Sequence, residues 1–131
     1  MRLEEFVQEW TKKGDNDLAS AQFLMYMRPV PLEVIGFHCQ QAVEKYLKAY
    51  LVLKGVEPEK THDLGLLLER CSAFDAGFST LAESCAFLTD FAVEMRYPNS
   101  ISLDFDTISK ALSLARGAVA HVASKLAEGS D

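Results

Sequence analysis

Apolar residues recur every three or four positions along almost the whole chain, which is the spacing of one face of an α-helix. Strand-like alternation of apolar and polar residues is absent from the sequence. The pattern falls into five segments. It predicts helices over about residues 3–27, 32–54, 61–73, 78–95 and 104–127. The sequence therefore predicts an all-α fold.

Helix-ending residues separate these segments. Pro29 and Pro31 end the first, since proline has no backbone N–H to donate, and Pro98 ends the fourth. Gly55 is a natural stop for the second, and Thr61 is the expected N-cap of the short third helix. Four long helices and one short helix, joined by short to moderate loops, predict an antiparallel up-down bundle that forms a single domain over residues 1–131.

The second segment has an apolar seam and a polar outer face. The seam residues are spaced four, three, four, three and four apart: Ile35, Cys39, Ala42, Tyr46, Ala49 and Leu53. The opposite face carries Gln41, Glu44, Lys45 and Lys48, with Phe37 and Leu51 at its two ends. A face that is apolar at both ends is usually covered. Either another helix of the chain covers it, or Phe37, Gln41, Glu44 and Leu51 form a dimer or partner surface.

Composition narrows the function classes. The 131 residues are 49% hydrophobic and 24% charged, as in a folded domain, and the net charge of −6 gives no bulk attraction to nucleic acid or anionic lipid. The chain has no apolar run long enough for a membrane span, and its acidic start is unlike a signal peptide, so we expect a cytoplasmic protein. Cys39, Cys71 and Cys85 are expected to be reduced core thiols. The residue spacings predict neither a metal site nor a cofactor.

Three motifs occur in a characteristic order. They are FHCQQAVEKYLKA over residues 37–49, KTHDL over residues 60–64 and RYP over residues 96–98. Together they resemble the HEPN domain (higher eukaryotes and prokaryotes nucleotide-binding domain), and the resemblance runs from about Phe6 to Leu126. It implies a helical bundle that often forms a homodimer and whose common partner is a minimal nucleotidyltransferase from a neighbouring gene. Some members are metal-independent RNA endonucleases, and others are inactive binding domains.

Catalytic members of the family carry an arginine followed four to six residues later by a histidine. Arg96 matches the arginine, but the positions for its partner hold Ile101, Ser102 and Leu103. A second match, Arg116 with His121, lies within the last helix, where we expect a solvated surface.

A phosphate-binding pocket is the second candidate site. Arg96 and Tyr97 either cap the fourth helix or form an anion or nucleotide pocket with Lys45, Lys48 and His62, because guanidinium binds phosphate and tyrosine stacks on bases. His62 alone has a simpler interpretation, as a neutral ring that hydrogen-bonds within its loop.

The missing histidine directs the functional prediction. We expect a non-catalytic HEPN protein that works as a dimeric binding or regulatory module with a nucleotidyltransferase, as in a toxin–antitoxin pair, and that has the capacity to bind a nucleotide. The alternative is a metal-independent RNA endonuclease toxin with a divergent active site.

Overall fold

The computed structural model describes residues 2–94 and 103–129, and every regular element in these two stretches is helical. The α-helices are α1 (Leu3–Leu24), α2 (Leu32–Leu53), α3 (Leu64–Ser72), α4 (Ala82–Thr89), α5 (Phe91–Glu94) and α6 (Phe105–Glu128), with a 3-10 helix over Ala76–Leu81 before α4. The predicted all-α class is confirmed. No helix in the described stretches combines the length and apolarity required to cross a membrane.

Helix α2 lies at the centre of the fold. It packs against α1 and α6 most extensively, and also against α3, α4 and α5. The predicted seam is confirmed over most of its length, because Ile35, Cys39, Ala42 and Ala49 are fully buried and Tyr46 nearly so, whereas Leu53 at its end is half-buried. The opposite face of α2 is buried as well, so this helix has polar side chains in the interior.

Two glycines allow helices to approach α2 and its neighbours closely. A Cβ atom on Gly14 of α1 would lie 2.8 Å from the ring of Tyr46 and 3.2 Å from the carbonyl oxygen of Ala42. A Cβ atom on Gly36 of α2 would lie 2.7 Å from the ring of Phe91. Helix α1 continues through Gly14 without a break. The glycine is required because any side chain at this position would collide with α2.

The fourth predicted helix, residues 78–95, is divided in the structure. A 3-10 helix precedes α4, and α4 ends at Thr89 before the short α5. The hydroxyl of Thr89 donates to the carbonyl oxygen of Cys85 at 2.8 Å and accepts the backbone N–H of Leu64 at 3.2 Å. A side chain that bonds to its own helix in this way favours a bend. The expected end of this segment, at Met95, lies outside the described residues.

Two other boundaries differ from expectation. Helix α1 ends at Leu24 rather than Met27, and its end is closed by hydrogen bonds from Tyr26 N–H to the Phe23 oxygen and from Met27 N–H to the Leu24 oxygen, both 3.1 Å. Thr61 was the wrong N-cap for α3. The cap is Asp63, whose carboxylate accepts the N–H groups of Gly65 at 2.9 Å and Leu66 at 3.3 Å.

All three cysteines are buried free thiols. Cys39 lies in α2, Cys71 in α3 and Cys85 in α4. Burial in an apolar core disfavours the charged thiolate and raises the pKa of each to about 12. These side chains therefore behave as small apolar core residues.

Candidate functional site

The motif on α2 and the motif before α3 meet in one polar cluster. Four of its side chains belong to α2 and are almost completely buried: Gln40, Gln41, Glu44 and Lys48, which we call the motif face. The fifth is His62, from the segment between α2 and α3. Because buried polar groups are costly unless they are hydrogen-bonded, the partners of these side chains decide whether the cluster is stable.

Glu44 is the centre of the cluster. One of its carboxylate oxygens lies 2.7 Å from Nδ1 of His62 and accepts the Gln40 amide at 3.2 Å. The other accepts the ammonium group of Lys48 at 3.1 Å. Glu44 and Lys48 are only 5% and 9% exposed. A carboxylate and an ammonium group therefore neutralise each other in the interior, on adjacent turns of one helix.

His62 is attached to α2 by both its side chain and its backbone. Its carbonyl oxygen accepts the Gln40 amide at 2.8 Å. A carboxylate can only accept, so the contact with Glu44 places a proton on Nδ1. The ring is 59% exposed. Glu44 thus fixes the tautomer of a histidine that solvent can reach.

A second cluster joins α1 to the edge of α2. Asp17 is 8% exposed and accepts from two residues of α2, with one oxygen 2.8 Å from Nδ1 of His38 and the other in a short contact with Lys45. Nearby, the hydroxyl of Tyr46 donates to Asp15. Burial, followed by this hydrogen bond, raises the pKa of Tyr46 well above its ordinary value. Asp15 and Asp17 of α1 therefore each bind polar groups of α2.

The structure divides the predicted anion-binding residues. Lys48 and His62 come together, but around a carboxylate, and Lys45 belongs to the Asp17 cluster. Arg96 and Tyr97 lie outside the described residues. Within the described stretches, no set of three metal-binding side chains is close enough to hold an ion.

Much of the predicted partner surface is covered by the chain itself. Gln41, Glu44 and Leu51 are 9%, 4% and 1% exposed, and only Phe37 is partly exposed. Trp10 of α1 lies beside this face, with its ring centre 5.7 Å from the ammonium group of Lys48. Because these three side chains are buried, a partner could contact them only if the parts of the chain that cover them moved away.

The pair of Arg116 and His121 is also separated. Arg116 is exposed, as expected, but the expectation of a solvated His121 was wrong. Its ring packs edge-on against Phe78 at 5.9 Å, and its Nε2 atom is buried without a hydrogen-bond partner among the described residues. The histidine is half-buried because this side of α6 faces Phe78 of the 3-10 helix.

Three members of these clusters were missed from the sequence as site residues: Gln40, Asp17 and Trp10. Gln40 lies within the first of the three motifs, and that was the available signal for it. The contacts of Asp17 with His38 and Lys45, and of Gln40 with His62, join residues 21 to 28 positions apart, beyond the range of helical periodicity.

Comparison with known proteins supports the resemblance. The family model of the HEPN domain matches residues 7–125. A crystal structure of an archaeal HEPN homologue has a similar fold, with a TM-score of 0.70, 21% sequence identity, and coverage of 91% of this chain and 96% of the other. No curated protein matches the chain.

Proposed function

The chain belongs to the HEPN domain family, and from that premise we propose that it works as a non-catalytic binding or regulatory module in the cytoplasm. Its partner in this proposal is a minimal nucleotidyltransferase encoded by a neighbouring gene, as in a toxin–antitoxin pair, and the module itself is a homodimer. The partner, the dimer and the regulatory role come from the family resemblance, whereas the lack of catalysis has support in this chain.

The observation that carries the proposal is the pairing of basic side chains in the α2 motif with carboxylates. Lys48 is buried against Glu44, and Lys45 is held by Asp17. A phosphate group would have to displace a carboxylate from each lysine and leave that acid buried without its partner, which is costly. We infer that both lysines have structural roles, because Lys45 joins α2 to Asp17 of α1 and Lys48 neutralises Glu44 within α2.

The sequence after Arg96 supports the same conclusion. Cleavage of RNA without a metal requires a base that takes the 2′-hydroxyl proton and a cation that stabilises the developing charge. Arg96 supplies a cation, but Ile101, Ser102 and Leu103 offer no imidazole at the family spacing.

The test is co-expression with the nucleotidyltransferase encoded beside this chain, followed by light scattering on the purified complex. We expect co-purification of the enzyme with two copies of this chain, and no RNA cleavage by the chain alone. Absence of such a gene, or failure of the two proteins to associate, contradicts the partner role. If light scattering shows one copy of this chain rather than two, the proposed homodimer is wrong.

One observation favours the alternative, a metal-independent RNA endonuclease. The half-exposed ring of His62 is held by the buried carboxylate of Glu44 at 2.7 Å. This arrangement is typical of a histidine that transfers protons. If the chain cleaves RNA between pH 6 and 8 without metal, and both Arg96→Ala and His62→Gln abolish cleavage, the alternative replaces our proposal.

Nucleotide binding at Lys45, Lys48, His62, Arg96 and Tyr97 is a separate question. We expect weak binding there because three of these residues already contact carboxylates. A nucleotide at 100 times its dissociation constant should stabilise the fold by about 2.7 kcal/mol. Thermal shift with a nucleotide panel measures this, and a clear stabilisation lost in Arg96→Ala would assign binding to that residue.

A further inference from the structure

The most exposed large apolar side chains of the described residues lie together at the C-terminal end of α1. Tyr26 is 84% exposed, Phe23 77% and Met27 52%. Single exposed apolar residues are ordinary, but adjacent ones mark a surface that binds something. Two of the three are aromatic, and aromatic residues are enriched at the centres of protein interfaces.

The backbone beneath these side chains is ordered by hydrogen bonds. The N–H groups of Tyr26 and Met27 each donate to the carbonyl oxygen three residues earlier. The guanidinium group of Arg28 donates to the carbonyl oxygens of Met25 and Met27, both at 2.9 Å. The exposed rings are thus displayed on a fixed turn, which lowers the entropic cost of binding.

A groove of about 570 Å³ separates this turn from α6. Its lining residues are Gln22, Phe23, Met25, Tyr26, Leu112 and Arg116. Leu112 belongs to the hydrophobic core and the half-buried Met25 packs against it, and these two side chains give the groove an apolar floor.

The lining of this groove carries a positive charge, although the chain as a whole is acidic. None of its six lining residues is acidic, and Arg116 forms no ion pair with any described residue. In contrast, Lys45, Lys48 and Lys125 are each paired with a carboxylate. Arg116 is therefore an available cation beside exposed aromatic rings.

These features limit the class of ligand. One guanidinium group in a chain of net charge −6 gives little attraction to a nucleic-acid backbone, which requires several cations. Rings that are more than three-quarters exposed do not enclose a small molecule, because small-molecule sites are concave and bury most of the ligand. An acidic segment of a protein matches both the single cation and the open apolar surface.

We propose that this groove binds a segment of a partner protein that places a carboxylate against Arg116 and an apolar side chain against Phe23 and Tyr26. The inference rests on the proposed role as a binding module, and it assigns a surface and a partner chemistry to that role. It does not require that the partner be a nucleotidyltransferase.

The test uses random peptides displayed on phage and selected on the wild-type chain, with depletion on the Tyr26→Ser/Arg116→Glu double variant. We expect the enriched peptides to share an acidic residue near an apolar or aromatic one. A synthetic enriched peptide should bind the wild-type chain in a fluorescence anisotropy assay. Tyr26→Ser and Arg116→Glu should each weaken it at least about tenfold.

Two matched variants control for charge and for loss of an exposed ring. Lys13→Glu makes the same charge change elsewhere on the surface, and Phe74→Ser removes another exposed ring, which is 48% exposed at the end of α3. Both should bind the peptide like the wild type, and circular dichroism should show that all five variants, including the double variant, are folded.

Several results would overturn the assignment: no enrichment over the double variant, enriched peptides without acidic residues, or equal binding by Arg116→Glu. If single-stranded oligouridylate bound more tightly than the enriched peptide, and did so through Tyr26 and Arg116, the ligand would be nucleic acid instead. Because the chain is tested alone, these outcomes are independent of co-purification with a nucleotidyltransferase, so the two proposals can fail separately.

Discussion

The motif face of α2 and the groove between α1 and α6 distribute polar and apolar groups in opposite ways. The motif face is polar but closed, since its four side chains are buried and its one acid, Glu44, pairs with its one base, Lys48. The groove is rich in aromatic surface but open, and its one cation lacks an acidic partner among the described residues. Polar residues in a motif thus stabilise the fold here, whereas the exposed apolar residues outside the motif have no structural role that accounts for them.

Removal of the central acid should have the largest effect. Glu44→Ala leaves the ammonium group of Lys48 buried without a counter-charge, so we expect a loss of about 3–5 kcal/mol in the free energy of unfolding measured in urea. The double variant Glu44→Leu/Lys48→Met should recover most of that loss, because it removes both charges. A loss below about 1 kcal/mol for Glu44→Ala would mean that the face is open to water.

The next effect comes from the close contact between α1 and the seam of α2 at Gly14. Gly14→Ala should destabilise by about 1–2 kcal/mol, because the added Cβ atom meets the Tyr46 ring at 2.8 Å and this cost exceeds the gain in helix propensity. Gly117→Ala on α6 is the matched control, since no atom lies within 4 Å of its added Cβ. It should stabilise by up to about 1 kcal/mol in the same urea titration. Equal effects would show that α1 is not tightly packed on α2.

A partly exposed ion pair should contribute less than the buried one and should depend on pH. Asp75 accepts from Lys125 at 2.9 Å, and this hydrogen bond, followed by that from Gly77 N–H, lowers the pKa of Asp75. Its contribution is therefore present above the unfolded-state pKa of about 4 and is lost as pH falls through the lower folded-state value. The difference in unfolding midpoint between the wild type and Asp75→Asn should shrink from pH 5 to pH 2. A constant difference would contradict a role for the charge.

The smallest effect on stability is expected in the groove. Tyr26→Ser should change the free energy of unfolding by less than about 0.5 kcal/mol, because the side chain is 84% exposed. The same substitution is expected to weaken peptide binding strongly, so it separates a binding role of Tyr26 from a role in folding. A large destabilisation would show that the ring packs within the fold.

The sequence was sufficient for the helices and for the apolar seam of α2. The spacing from Ile35 to Ala49 identified the buried residues because helical periodicity is a local property. The end of α1 was also predicted to within three residues by the prolines that follow it.

The polar contacts between residues far apart in the chain could not be predicted from the sequence pattern. Periodicity shows which face of a helix is polar, but it does not show that Gln41, Glu44 and Lys48 are buried, or that Lys45 pairs with Asp17 and Lys48 with Glu44. The division of residues 76–94 depends on Thr89, whose hydroxyl bonds both to its own helix and to the start of α3. Such bonds follow from tertiary packing and leave no local signal.

Because its native thiols are buried, the protein is suited to site-specific labelling at an introduced cysteine. Burial raises the pKa of each thiol to about 12, so little thiolate is present at pH 8, and the thiolate is the form that reacts with maleimides or iodoacetamide. A cysteine introduced at the exposed Phe74 would be modified far faster than Cys39, Cys71 or Cys85. A fluorophore or spin label can therefore be attached at one chosen position without first replacing the native cysteines.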